Sequence, residues 1–168
     1  MIDAVNGTTR VIFLGGVGEV GRNMTAIESE GKILVIDAGL SFPNEEMLGV
    51  DLVLPDFSYV RERAEDCVGV VLTHGHEDHV GALSWFLKEV DVPVFGTPLT
   101  LGFARKRLDE SGVKAEFNEI SAPGSRRIGP FECSFIPVSH SIPDSISVAV
   151  DTAGGRILHT SDFKLDPT

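Results

Sequence analysis

Between Thr73 and His79 the chain reads Thr-His-Gly-His-Glu-Asp-His, which crowds His74, His76, Asp78 and His79 into six residues. Imidazole nitrogen and carboxylate oxygen are the donors that hold zinc and similar divalent ions. His74 and His76 are two positions apart, so in an extended loop they point the same way and can reach one ion. Asp78 and His79 are adjacent, at the start of an amphipathic segment, and can turn toward a second position. A two-ion centre needs further ligands from distant segments. His140 in Ser139-His140-Ser141 and Asp162 in Thr160-Ser161-Asp162, each just past a strand-like run, are the candidates. A carboxylate can bridge two cations, which suits Asp162. Taken singly, His140 and Asp162 read equally well as ordinary polar side chains. His159, inside its strand, reads as structural. Glu77 reads as a helix-start carboxylate, placed where negative charge is favoured, rather than as a ligand.

These residues need elements to hold them. The loop follows Cys67 to Leu72, a continuous apolar run that suits a strand buried on both faces. Loops at the carboxyl ends of such strands are where α/β sheets place their chemistry. Arg10 to Leu14, Asn23 to Glu28 and Lys32 to Asp37 read as strands, the last two around a Glu30-Gly31 turn. Leu40 to Pro55 is irregular, and Phe57 to Asp66 reads as a short polar helix. Another helix is expected near Gly81 to Glu89, then a short strand, Pro93 to Gly96. Pro98 to Glu110 is the clearest helix, with Pro98 in its first turn, Leu101, Ala104 and Leu108 on one face, and Gly112 as its stop. Ala115 to Ile120, Phe131 to Val138, Ile146 to Asp151 and Arg156 to His159 complete a β-rich remainder, with Gly154-Gly155 as a hairpin turn. The sum is an α/β (α+β) chain of mixed sheets flanked by helices.

Gly16-Val17-Gly18-Glu19-Val20-Gly21 matches G-x-G-x-x-G after a strand, with Asp37 at about the distance of a ribose-binding acid. Dinucleotide binding requires a helix of several turns after the third glycine. Arg22 to Glu30 alternates like a strand instead, so NAD is not expected. The simpler reading is a turn that lets the backbone pass close to something else, such as the wall of the site.

The length of 168 residues suits one domain, and 42% hydrophobic with 23% charged residues reads as soluble and globular. A net charge of -11 argues against a broad basic surface for gripping nucleic acid. It leaves a polyanionic substrate open, because two bound cations make a local positive centre. Met1 to Arg10 lacks the pattern of a signal peptide, and no apolar run approaches a membrane span. Cys67 and Cys133 read as buried free thiols, and the chain is expected in the cytoplasm.

The metal loop, Asp37 before it and His140 and Asp162 after it resemble the metallo-β-lactamase superfamily. The resemblance is closer to bacterial ribonuclease J, a β-CASP nuclease family. It is carried by Gly15 through Met24, Asp37-Ala38-Gly39 with Phe42-Pro43, and Gly49-Val50-Asp51 with Leu54-Pro55-Asp56. His74 through His79, His140 through Ser145 and His159 through Lys164 continue it. It implies an αββα sandwich with a two-metal site on one edge. His74, His76 and His140 would hold one ion, and Asp78, His79 and Asp162 the other, with Asp162 shared. Asp37 would fix a loop or a ligand imidazole from behind. The ions would be Zn2+ first, with Mn2+ also suited to the donors. The implied activity is hydrolysis of RNA phosphodiesters, as a 5′-exonuclease or endonuclease, by a water activated between the ions. Asp78 or Asp162 would be the catalytic carboxylate. Residues 1–168 would be the N-terminal part of the catalytic domain, with a β-CASP insertion, a further histidine ligand and the rest of the sandwich absent. The chain would need those parts for activity, and a homo-oligomeric parent is consistent with the resemblance. Two other readings remain at this stage: another hydrolase of the same fold, such as a thioesterase, lactonase or β-lactamase, and a non-catalytic RNA-binding or scaffold fragment.

Overall fold

A computed structural model of the chain describes residues 7–45 and 47–165. Strands β1 (Thr9–Gly15), β2 (Met24–Ser29) and β3 (Lys32–Ile36) form an antiparallel meander. The β2–β3 turn puts Glu30 at φ 52° and Gly31 at φ 73°, the two left-handed positions of a tight hairpin. Strands β4 (Cys67–Val71), β5 (Val94–Gly96) and β6 (Phe117–Glu119) extend this sheet in parallel, in the order β1-β2-β3-β4-β5-β6. A second, antiparallel sheet has the order β10-β9-β8-β7, from β7 (Gly124–Ile128), β8 (Phe131–Pro137), β9 (Ile146–Thr152) and β10 (Gly155–His159).

Alternation along β3 divides the molecule into two cores. Ile33 and Val35 face α1 (Ser58–Arg61), α2 (Glu77–Val80), α3 (Leu83–Glu89) and α4 (Pro98–Ser111), packing with Leu83, Phe86, Leu101 and Leu108. Leu34 and Ile36 face the second sheet, with Phe131, Phe135 and Val148. Each fully buried side chain of this size contributes about 1.5–3 kcal/mol. The layers run helices, six-stranded sheet, four-stranded sheet, as an αββα sandwich requires. Among the described residues no helix covers the outer face of the second sheet. On the edge strand β1 of the first sheet, Val11 and Phe13 share the inter-sheet face with Ile27 of β2, and Phe13 remains 62% exposed.

One local expectation needs correction, and two elements, α2 and β7, are absent from the sequence reading. The polar helix expected over Phe57 to Asp66 is only the single turn α1 and a separate 3-10 turn, Ala64–Asp66. The helix expected near Gly81 to Glu89 is α3, and a separate helical turn, α2, precedes it. The strap after β3 binds into the gap between them: Ala38 N–H donates to His79 O at 2.8 Å, Leu40 N–H to Glu77 O at 3.1 Å, and Ala82 N–H to Ala38 O at 2.8 Å. Strand β7 was not anticipated. Its residues Gly-Ser-Arg-Arg-Ile are polar because it is an edge strand, and Gly129-Pro130 turns it into β8 with Gly129 at φ 56°.

Asp37 follows β3, the metal-type loop follows β4, His140 follows β8 and Asp162 follows β10. All four strands end at one edge of the sandwich. The loops there are tied together: Ile146 N–H donates to Thr73 O at 3.1 Å and Lys164 N–H to Ser139 O at 2.7 Å.

Candidate metal centre

Three ring nitrogens converge at that edge. His74 Nε2 lies 3.1 Å from His76 Nδ1, and His140 Nε2 lies 3.2 Å from the same atom although 64 positions away in sequence. Nitrogens bound tetrahedrally to zinc at ~2.0–2.1 Å stand roughly 3.3–3.4 Å apart, so the trio has the spacing of three ligands. A second cluster joins His74, His79 and Asp162, whose donor atoms lie within 4.8 Å of one another. Asp162 faces both clusters, with Oδ1 at 3.6 Å from His79 Nε2 and Oδ2 at 3.8 Å from His140 Nε2. Asp78 Oδ2 is 3.6 Å from His79 Nε2. The structure thus brings together all six residues anticipated as ligands. His74 belongs to both groups, where the sequence reading placed it in one.

Hydrogen bonds behind the rings fix which nitrogens face inward. Asp37 is fully buried; its Oδ1 accepts from Thr73 N–H at 2.8 Å, and its Oδ2 accepts from Thr73 Oγ1 at 2.9 Å and pairs with His79 Nδ1 at 2.7 Å. Asp37 therefore holds both the loop and a ligand-type imidazole, and it does so at φ 62°, a left-handed conformation that few side chains adopt. With His79 Nδ1–H given to Asp37, the Nε2 lone pair is left facing the site. Thr73 Oγ1 spends its one proton on Asp37, so it accepts from His74 Nδ1–H at 3.0 Å, and Ser161 Oγ donates to it at 2.7 Å. His74 Nε2 is thereby the free acceptor.

Protonation follows the same logic. Burial, with the His79 ring beside it, lowers His74 to about 4, so it is a neutral ligand at ordinary pH. Burial also lowers His140, against the pull of Asp162. For His79 burial acts downward but the Asp37 carboxylate outweighs it and raises the ring; Asp37 is held low in return, mainly by His79 against its own desolvation. A set of imidazoles and carboxylates, aimed by their neighbours, fits a divalent cation.

The remaining expectations divide. Glu77 opens α2, as expected, and is ion-paired to Arg107 of α4, with Arg107 Nε at 2.9 Å. His159 lies in β10, lowered by burial, and its Nδ1 is buried without a hydrogen-bond partner. The turn after Gly21 leads straight into β2, a strand. Sequence reasoning missed Thr73, Ser161 and Asn23. Asn23 Nδ2 lies 3.0 Å from Asp78 O and 3.1 Å from His79 Nε2. The signal for Asn23 lies in the glycine turn, which the sequence reading takes as a close backbone approach to the wall of the site without naming the residue it approaches.

Two sheets with helices on one outer face, and a histidine- and aspartate-lined edge where their strands end, define a class of metal-binding α/β sandwich. The chain belongs to the metallo-beta-lactamase superfamily, whose family model matches residues 17–167. Among curated relatives it is 46% identical over 162 residues to ribonuclease J of Mycobacterium tuberculosis, covering 96% of this chain and 29% of that protein. It is 42% identical to ribonuclease J of Helicobacter pylori, covering 96% of this chain and 24% of that one. To ribonuclease J2 of Bacillus subtilis it is 44% identical, covering 95% and 29%. The chain thus spans less than a third of the length of these relatives. Solved structures share the fold: a protein of unknown function from Enterococcus faecalis has a TM-score of 0.70 at 18% identity, covering 94% of this chain and 44% of that one. The short form of human tRNase Z has a TM-score of 0.62 at 17% identity, covering 92% and 69%. Among the described residues no helix is long and apolar enough to cross a membrane.

Proposed function

We propose that this chain is the N-terminal, metal-binding part of a ribonuclease J-type hydrolase that cleaves RNA phosphodiesters. The observation that carries the reading is the approach of His140 Nε2 to His76 Nδ1 at 3.2 Å, which completes a trio of imidazoles from two separate loops. The relatives named ribonuclease J supply the substrate class and support a longer protein, with a β-CASP insertion and the rest of the sandwich beyond this segment. His74, His76 and His140 would hold one divalent ion, and Asp78, His79 and Asp162 the second, with Asp162 facing both sets. Zn2+ suits the nitrogen-rich trio best and Mn2+ is accepted by the same donors. When bound, such ions polarise phosphate oxygens and lower the pKa of water. Asp37 and Thr73 keep His79 and His74 in the tautomers that present Nε2. Asp162 or Asp78 would accept the proton that the attacking water loses. We place the protein in the cytoplasm, a reading supported by two buried, unpaired thiols at Cys67 and Cys133.

Two measurements test this. The metal-free protein is expected to take up two divalent ions per chain by calorimetry, and His76→Ala to lose the first. In the full-length protein His76→Ala is expected to abolish metal-dependent cleavage of 5′-monophosphate RNA. Undiminished turnover in that variant would sink the mechanism.

A further inference from the structure

We propose that Asn23 is the positioning residue for the Asp78–His79 half of the metal centre, and that position 16 of the preceding turn is glycine so that the backbone there can press against Asn23. The inference rests on the two-ion reading above. Asn23 immediately precedes β2, and it clamps the metal loop twice. Its main-chain N–H donates to Asp78 O at 3.0 Å, while its own carbonyl accepts from Gly39 N–H at 2.9 Å. Its side-chain Nδ2 donates to the same Asp78 O at 3.0 Å. That second bond sets the amide orientation: Nδ2 toward Asp78, Oδ1 away from it.

The other amide hydrogen points into the site. Nδ2 lies 3.1 Å from His79 Nε2 and 3.5 Å from Asp78 Oδ2. His79 Nδ1–H is committed to Asp37, so Nε2 accepts from Asn23. When an ion takes that lone pair, the amide hydrogen still has the Asp78 carboxylate to donate to. Asn23 therefore links Asp78 and His79, the two donors that come from this turn of chain, and fixes their separation.

The glycines explain how an asparagine can stand there. A Cβ on Gly16 would lie 2.6 Å from Asn23 Oδ1, and one on Gly15 would lie 2.3 Å from Arg22 O. Gly16 also has φ 85°, which side chains resist. Gly16, the first glycine of the pattern that imitates a dinucleotide turn, is here the back wall of Asn23.

The test uses the protein stripped of metal by chelation and titrated with Co2+, read by calorimetry and by the visible absorption of the bound ion. Asn23→Leu keeps the volume and removes the donor. It is expected to leave the first Co2+ unchanged and to weaken the second roughly 10–100-fold, with an altered second spectrum. Gly16→Ala is expected to shift the second ion in the same direction. The stripped Asn23→Leu protein should melt close to the parent. If the parent itself takes up fewer than two Co2+ ions, the two-ion reading fails. If the parent takes up two and Asn23→Leu retains both affinities and both spectra, only the role of Asn23 fails. Equal weakening of both ions with a lowered melting temperature would make Asn23 a general support and would also overturn the proposal.

Discussion

Two imidazoles four ångströms apart titrate in opposite directions, and the cause is a single buried carboxylate. The ring centroids of His74 and His79 are 4.0 Å apart. Burial alone would lower both, but Asp37 outweighs it for His79 and raises that ring above the ordinary 6.5. A raised histidine contributes its stability fully below pH 6.5 and loses it as pH climbs through the folded value. His74, taken down to about 4 by burial, does the reverse. Its unfolded form gains a proton first, so stability drains between pH 6.5 and about 4, by roughly 3 kcal/mol. His140 and His159, also lowered by burial, add to that acid limb. Chelator-treated protein is therefore expected to melt highest near pH 6.5, and His79→Gln to flatten the alkaline side. Calorimetric melting in a pH series checks this; a parent whose melting temperature keeps rising above neutrality contradicts it. Asp37→Asn carries a second expectation. Asn Oδ1 still accepts from Thr73 N–H, but the amide now donates to His79 Nδ1, driving the proton to Nε2 and blocking the lone pair that faces the site. Metal affinity should fall roughly 10–100-fold while the fold persists. Retained affinity in calorimetric titration would refute the tautomer argument.

At the scale of elements, the position of the loops depends on how closely backbones approach. A Cβ on Gly39 would lie 1.6 Å from Asp78 O, inside the strap that fills the break between α2 and α3. Gly39→Ala must move one backbone or the other, and a loss of more than ~3 kcal/mol is expected, with the metal loop displaced. Gly102 is the control. It lies within α4 with open space around it, so Gly102→Ala is expected to gain about 0.5–1 kcal/mol from helix propensity. Denaturant melts of the two variants decide the matter, and similar stabilities would show that the close approach is unimportant. The same elements show what a sequence can disclose. The His74–His79 loop, the strand before it and α4 were legible because their signals are local: ligand types in a row, an unbroken apolar run, Pro98 and Gly112 at the ends of a helix. The break at Gly81-Ala82 was not, because the groups that force it, Ala38 and Leu40, lie some forty positions earlier. Strand β7 was hidden by the polarity that suits an edge. Asn23 was hidden because its partner is 55 positions away and only the crowding at Gly16 betrays it.

The whole molecule presents an uneven surface for its net charge of -11. The first sheet has six strands and the second four, so the inter-sheet face of β1 extends beyond its cover. Val11 and Phe13 stand on that face in line with Ile27, which is wholly buried, yet they are exposed by 41% and 62%. On the outer side of the second sheet Leu158 of β10 is exposed by 56%. An apolar strip along an edge strand favours pairing with other copies, since both its side chains and its free backbone groups gain partners. Net negative charge opposes that approach, and salt weakens the opposition within a Debye length of about 8 Å at physiological ionic strength. Association of the isolated chain is therefore expected to rise with protein concentration and with salt. Phe13→Lys removes the most exposed aromatic ring of the strip and adds a charge of the kind that protects natural edges. It is expected to hold the chain monomeric over the same range without lowering its melting temperature, because Phe13 is packed against little. Sedimentation velocity across concentration and salt measures both parts. A parent that stays monomeric throughout, or a Phe13→Lys variant that associates as readily, would show that the uncovered face does not drive association.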